Sequence, residues 1–216
     1  MNNKIKLACA LAALLAAAPA TAQVTTTYSF GTLLSGSYQP STTFATLSVT
    51  TTDSMHYTFN LHANNLNSIF TQGAFIGRMA ANDSTNADPI ASSVLIAPGS
   101  WGVSQVGLNA NSAGPGGSNV WDFNFTYPTS GAHQGAYRLT ANETVEWYAA
   151  FTAPTSFALP PFALHVQGLT NAQGGSAWYT PTVTTPVPEP ETYAMLLVGL
   201  GLLALQVRRR KKAAER

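Results

Sequence analysis

The chain has 216 residues and a formal net charge of +1, with only 9% charged residues. Eight of the ten cations lie near the two ends, so that residues 23–185 carry six acids, two arginines and no lysine, a net charge of −4. An acidic body without lysine has little with which to bind a phosphate backbone, so nucleic acid is not an expected partner.

The N-terminal segment has the pattern of a secretory signal peptide over residues 1–22. Lysines precede an apolar stretch at residues 7–18, and a small-x-small site follows at Ala20 and Ala22. This pattern predicts export through the Sec translocon and cleavage by signal peptidase, so that the mature chain begins at Gln23. Export places the body outside the cytoplasm.

Residues 23–180 are predicted to form one domain, because their length suits a single hydrophobic core. The only cysteine, Cys9, lies in the predicted signal peptide, so the exported body is expected to contain neither disulfides nor cysteine-bound zinc. The body is rich in Thr, Ser, Asn, Gly and aromatic residues, a composition that favours strands and turns over helices.

Two segments alternate apolar and polar residues in the manner of half-buried strands. They are residues 55–63 and residues 121–127, the second of which ends at Pro128. Together with the weaker segments these predict roughly eight to ten antiparallel strands, arranged as a β-sandwich of jelly-roll or immunoglobulin-like type. The weaker segments are 24–30, 44–51, 74–80, 94–97, 101–108, 137–141, 145–152 and 162–167.

Aromatic residues in the second half of the body indicate a glycan contact. Trp147 has the same parity as Val145 and Phe151 and is predicted to be buried, whereas Tyr148 has the exposed parity. Tyr148 and Trp178 are therefore the predicted sugar-stacking residues. The alternative interpretation of these rings is core packing.

The polar loop at residues 82–88 concentrates oxygen ligands of the kind that calcium prefers. Asp83, Asn86 and Asp88 are the candidates for a calcium site, although the loop is not an EF-hand. The alternative is that these side chains cap turns of their own loop. No other metal site and no cofactor are expected.

Catalysis has a weaker basis in this sequence. A secreted polysaccharide hydrolase needs two carboxylates in one cleft, which Asp122, Glu143 and Glu146 supply only if the fold brings them together. Serine occurs without a Gly-x-Ser-x-Gly elbow, so a hydrolase triad is not indicated. The chain is therefore predicted not to be an enzyme.

The C-terminal segment combines three features in order. A proline-rich linker at residues 181–192 precedes an apolar stretch at residues 193–207, and a basic tail occupies residues 208–216. Basic clusters beside a span remain cytoplasmic, so the sequence predicts one transmembrane helix at 193–207 with the body outside. The span is shorter than the ~20 residues usual for a bilayer, which suits either a plain anchor or a segment that a membrane protease removes. The basic cluster consists of Arg208, Arg209, Arg210, Lys211 and Lys212.

The Pro188-Glu189-Pro190 motif, followed by the short apolar stretch and the basic cluster, resembles a PEP-CTERM sorting signal. The resemblance implies that Pro188, Glu189 and Pro190 are recognised by exosortase, an integral-membrane transpeptidase of Gram-negative bacteria. It also implies an association with extracellular polysaccharide and with biofilm or floc formation. The prolines keep the motif extended, as a protease cleft requires.

These observations together predict an exported surface or matrix protein. It is expected to reside transiently in the inner membrane and then at the cell surface or in the extracellular matrix. The first functional hypothesis is a non-enzymatic structural or adhesive component that contacts exopolysaccharide. The alternatives are a dedicated glycan-binding module and, less favoured, a secreted polysaccharide hydrolase.

Overall fold

The computed structural model describes residues 23–85, 87–98, 105–109, 114–115, 121–129, 138–183 and 199–201. The predicted signal peptide, residues 184–192 of the linker and the basic tail lie outside these ranges. Of the predicted transmembrane helix, only residues 199–201 are described, and they are helical. Within the described ranges, every helix is too short or too polar to cross a bilayer.

The described part of the chain is almost entirely β-structure, as its composition predicts. One short helix, α1 (Leu66–Ile69), and two 3₁₀ turns, Ala91–Ser93 and Asn171–Gln173, interrupt the strands. The strands are β1 (Val24–Ser35), β2 (Ala45–Thr51), β3 (His56–Ala63), β4 (Phe75–Asp83), β5 (Leu95–Ile96), β6 (Gly107–Asn109), β7 (Phe123–Thr126), β8 (Thr144–Ala150), β9 (Phe157–Gln167) and β10 (Ser176–Val183).

The predicted sandwich of two separate sheets is not confirmed, because the described strands form one hydrogen-bonded antiparallel sheet. Its strand order is β5-β8-β3-β2-β1-β10-β9-β4-β7-β6. The sheet curls, so that the half containing β3 and β8 packs against the half containing β7 and β9. The alternation of apolar and polar residues fixes which face of a strand is buried. A sandwich of two sheets and a single curled sheet both satisfy that alternation.

Aromatic rings fill the inside of the curled sheet. Phe59 of β3 stacks on Trp147 of β8 at a centroid distance of 5.2 Å, and it meets Phe125 of β7 from the other half at 5.2 Å. Tyr28 of β1 lies edge-on to Phe162 of β9 at 4.9 Å. Such pairs contribute about 0.5–1.5 kcal/mol each beyond the burial of their area. The two halves of the sheet are therefore held together by rings from non-neighbouring strands.

The first and last strands of the body are neighbours in the middle of the sheet. β10 pairs antiparallel with β1, and this pairing extends through Pro181, Thr182 and Val183. The sequence pattern predicts a linker from residue 181 onward, and the structure places these three residues in the sheet instead. Proline is tolerated at this position because β10 pairs with β9 only over Ser176–Tyr179, so Pro181 lies beyond that ladder and pairs with β1 alone. The sheet therefore extends three residues beyond the predicted end of the domain at residue 180.

A second, smaller apolar cluster lies on the outer face of the sheet, the face turned away from the core. Trp121 packs there on Ala80 and Ala163, with Trp178 beside it. The indole of Trp121 donates a hydrogen bond to the carbonyl oxygen of Pro115 at 3.1 Å, which attaches part of the preceding loop to the sheet.

We expect the substitution Phe59→Ala to destabilise the body by about 3–5 kcal/mol, because it removes a ring that contacts both halves of the sheet. Leu34→Ala is the control, since Leu34 is 41% exposed and surface changes usually stay within about 0.5 kcal/mol. Urea unfolding followed by tryptophan fluorescence measures both. Equal stabilities for the two variants would contradict this account of the core.

Two buried tyrosines provide a second comparison. The Tyr57 hydroxyl donates to the carbonyl oxygen of Thr155 at 2.6 Å, whereas the Tyr127 hydroxyl has no hydrogen-bond partner among the described residues. Tyr57→Phe should lower the free energy of unfolding by about 1–3 kcal/mol, because it leaves a buried carbonyl unpaired. Tyr127→Phe should be neutral or slightly stabilising. A larger loss for Tyr127→Phe than for Tyr57→Phe, measured by urea unfolding, would refute this assignment.

Candidate functional site

The outer face of the half formed by β1, β2, β3 and β8 is polar. The alternation predicted for β3 is observed, with Tyr57, Phe59 and Leu61 buried and His56 exposed. Strand pairing aligns small polar side chains into rows across this face. One row runs through Thr25, Thr50, Thr58, Tyr148 and Leu95.

Tyr148 lies between Thr58 and Leu95 in this row and is 42% exposed. The prediction that Tyr148 is exposed and Trp147 buried is confirmed, since Trp147 is fully buried. Leu95, its cross-strand neighbour on β5, is 60% exposed. The two side chains line a shallow groove of about 440 Å³ together with His56, Thr50, Thr58 and Ser93.

Hydrogen bonds fix the polar side chains beside the groove. The amide of Asn60 donates to Glu146 Oε2 at 2.8 Å, and the Tyr148 hydroxyl donates to Glu146 Oε1 at 3.4 Å. Ser93 is also held in place, because its hydroxyl oxygen accepts from the backbone N–H of Ala150 at 2.8 Å. The groove is therefore bordered by oriented polar groups rather than by long mobile side chains.

His56 borders the groove with a partner of its own. Its Nδ1 lies 2.6 Å from Asp53 Oδ2. The side-chain hydrogen bond from His56, with backbone N–H groups of Met55 and His56, lowers the pKa of Asp53 to about 2. Asp53 is thus ionised at neutral pH and orients the imidazole.

Trp178, the other predicted sugar-stacking residue, lies elsewhere. It stands half-buried on the outer face of β10, where its ring stacks on that of His165 at 4.5 Å and 11°. Burial, followed by the nearby charge of Arg78, lowers the pKa of His165 to about 4, so this imidazole is neutral at pH 7. Four strand spacings separate β10 from β8, about 19 Å along the sheet, so Trp178 and Tyr148 do not share a platform.

In the loop predicted to bind calcium, the buried carboxylate of Asp83 forms hydrogen bonds with neighbouring protein groups. Asp83 Oδ2 accepts hydrogen bonds from the backbone N–H of Ala87 at 2.7 Å and from the Thr155 hydroxyl at 3.0 Å. Asp88 is exposed, and Asn86 lies outside the described residues. Among the described residues, there is no group of three or more histidine, cysteine or acidic side chains suited to a metal ion. The contacts of Asp83 are those of a turn-capping residue.

The carboxylates considered for hydrolysis have separate partners. Asp122 Oδ2 accepts from the backbone N–H of Asp83 at 2.7 Å, Glu143 Oε2 accepts from the backbone N–H of Thr140 at 2.6 Å, and Glu146 binds Asn60. Desolvation raises the pKa of Asp122, and the charges of Asp83 and Asp88 add to this rise. These contacts hold the three carboxylates in different hydrogen-bond networks.

Some residues beside Tyr148 were not predicted as part of a site, namely Leu95, His56, Thr50, Thr58 and Ser93. The sequence does show His56 and Thr58 on the exposed parity of β3, and a strand at 94–97. The sequence alone does not reveal the strand order, which brings β2, β3, β5 and β8 side by side. The sorting residues Pro188, Glu189 and Pro190 lie outside the described residues, as do Ala20 and Ala22 of the predicted signal cleavage site and the basic cluster.

Comparison with known proteins concerns the C-terminal segment. The body is an all-β domain, and the family model for the PEP-CTERM protein-sorting motif matches residues 186–211. The chain therefore carries a PEP-CTERM sorting motif at its C-terminal end, which confirms the resemblance found at Pro188, Glu189 and Pro190. The motif implies a surface protein that is exported and directed to exosortase. Searches of the curated proteins and of the solved structures gave no match.

We expect Asp122→Asn to be as stable as the unchanged protein at pH 7, or to melt a few degrees higher. Because the pKa of Asp122 is raised in the folded state, protonation of its carboxyl favours folding. This contribution to stability is fully present below the unfolded pKa of ~3.9 and is lost as pH rises through the folded-state pKa. Asparagine retains an oxygen for the Asp83 N–H and removes the charge.

Thermal melts from pH 3 to pH 8 test this expectation. Asp88→Asn is the comparison variant and should raise the melting temperature less, because the charge of Asp88 is only a minor cause of the raised pKa of Asp122. Any increase in melting temperature of Asp122→Asn over the unchanged protein should shrink toward pH 3, where the carboxyl is protonated. A clear loss of stability at pH 7 would show that the ionised Asp122 is needed for folding.

Proposed function

We propose that the chain is an exosortase-processed surface protein whose body is a non-enzymatic, structural or adhesive component of an extracellular polysaccharide layer. The observation that carries the proposal is the sorting motif at residues 186–211. It follows a body with a net charge of −4 and is preceded, at the N-terminus, by the pattern of a signal peptide. Sorting would place this body at the cell surface or in the matrix.

The tail has the physical properties that such processing needs. Prolines at 186, 188 and 190 prevent this stretch from forming a helix or a strand interior. The apolar stretch at 193–207 is short, and a short span is retained by a bilayer only through local thinning and the reach of long basic side chains. Membrane residence is therefore transient in the proposed route, and cleavage near Glu189 ends it.

A structural or adhesive role suits the contacts of the body. Contacts between aromatic rings on non-neighbouring strands stabilise the core. The body contains no cysteine, so disulfides do not contribute. The hydrogen bonds of Asp122, Glu143 and Glu146 go to different partners, which favours a non-catalytic role over hydrolysis. The polar outer face, rich in threonine hydroxyls, suits contact with a hydrated polymer.

Replacement of the sorting motif tests the route. In the native host, we expect Glu189→Ala to prevent removal of the tail, so that the full C-terminus persists in the membrane fraction. Glu191→Ala is the matched control, because it removes the same carboxylate two residues away. Intact mass of the chain from membrane, matrix and medium is the measurement, in cells with and without exosortase.

The unchanged chain should lose its tail only when exosortase is present, and it should be recovered with the polysaccharide fraction. Identical masses with and without exosortase would overturn the sorting step. A correctly processed chain that washes freely from the polysaccharide would overturn the structural or adhesive role.

A further inference from the structure

The groove beside Tyr148 has the chemistry of a sugar-binding surface. Tyr148 and Leu95 face each other across β8 and β5 and are 42% and 60% exposed. An aromatic ring and an aliphatic side chain that remain in water side by side form an apolar contact area, which single scattered residues do not. The C–H face of a pyranose ring is complementary to such an area.

Hydroxyl groups continue from this apolar pair along the sheet. Thr58, Thr50 and Thr25 follow Tyr148 in the same cross-strand row, and Thr25 Oγ1 lies 2.9 Å from Thr50 Oγ1. Five positions at a strand spacing of ~4.8 Å give a track about 19 Å long. A linear oligosaccharide can follow a track of this length, with its hydroxyls toward the threonines.

The lining of the groove also indicates which kind of polymer it suits. Among the described residues that line it there is no Lys, Arg, Asp or Glu, and the imidazole of His56 is already paired with Asp53. A polymer carrying carboxylates or phosphates would find no cation here to offset desolvation of its charge. An uncharged glycan meets no such cost.

A protein partner fits this surface less well. Two exposed apolar side chains fall far short of the ≈ 800 Å² that each partner buries in a stable protein interface. The rest of the groove consists of short hydroxyl side chains, whereas protein interfaces are enriched in aromatic residues and arginine. The apolar area matches one sugar ring rather than a second folded surface.

We propose that this groove binds a neutral polysaccharide, with Tyr148 stacking on one pyranose ring and Leu95 contacting its edge. The threonines of the row exchange hydrogen bonds with hydroxyls of the neighbouring sugar units. Glu146 positions the phenol of Tyr148 through the 3.4 Å contact between Tyr148 Oη and Glu146 Oε1. This inference rests on the proposed matrix role and names the surface and the class of polymer through which the body would act.

Binding of defined oligosaccharides to the full chain in mild detergent tests the proposal. The probes are neutral hexasaccharides of glucose, galactose and mannose, with hexagalacturonic acid as the anionic comparison, each titrated into the millimolar range by calorimetry. We expect at least one neutral probe to bind and the anionic probe to bind more weakly. Absence of binding by all neutral probes, or preference for the anionic one, would overturn the proposal.

Variants of the groove separate ring stacking from other contacts. Tyr148→Ala should weaken binding by at least about tenfold, the size of one lost aromatic contact, whereas Tyr148→Phe keeps the ring and should stay within about threefold. Leu34→Ala, an exposed apolar residue on β1, is the matched control and should bind unchanged. Equal affinities for Tyr148→Ala and Leu34→Ala would refute the assignment. Melting temperatures confirm that each variant is folded.

Failure of this proposal can be distinguished from failure of the matrix role. Tyr148→Ala should be processed normally and yet be washed from the polysaccharide fraction more readily than Leu34→Ala. Equal retention of the two variants would mean that another surface attaches the body to the matrix. Loss of retention for the unchanged chain would instead reject the matrix role itself.

Discussion

The packing of aromatic rings across the inside of the curled sheet is the interaction on which the rest of the structure depends. Phe59 links Trp147 on its own half to Phe125 and Phe162 on the other half. With no cysteine in the body, cross-linking is not available, and burial of these rings must offset the entropy of ordering a long sheet. Because these core rings occupy the inward parity of each strand, the side chains of the opposite parity form the outer face of the sheet.

The outer face is thereby divided into two regions with different chemistry. On β4, β9 and β10, the stacked His165 and Trp178 and the cluster around Trp121 cover the sheet with partly buried rings. On β2, β3 and β8, polar side chains leave the sheet open, and Tyr148 and the imidazole of His56 are exposed among them. The open region is the one with room for an external polymer.

Alternation in the sequence predicts most strands and the buried or exposed state of Trp147 and Tyr148, because parity along a strand is a local property. It does not predict the single sheet, since pairing depends on contacts between residues far apart in the chain, such as Leu95 with Tyr148. The groove residues were missed for the same reason. The sorting motif, by contrast, is contiguous, and a contiguous motif can be recognised without knowing the fold.

The central place of β10 has a mechanical consequence. This strand is bonded to β9 on one side and to β1 on the other, and the sorting motif begins three residues after its last residue, Val183. Any attachment at the C-terminal end of the body would therefore pull lengthwise on an inner strand, so that a ladder of hydrogen bonds resists in shear instead of opening one at a time. Its neighbour β1 begins at the same end, where Tyr28 pairs with Val183. The fold thus suits a body that bears tension through its C-terminus.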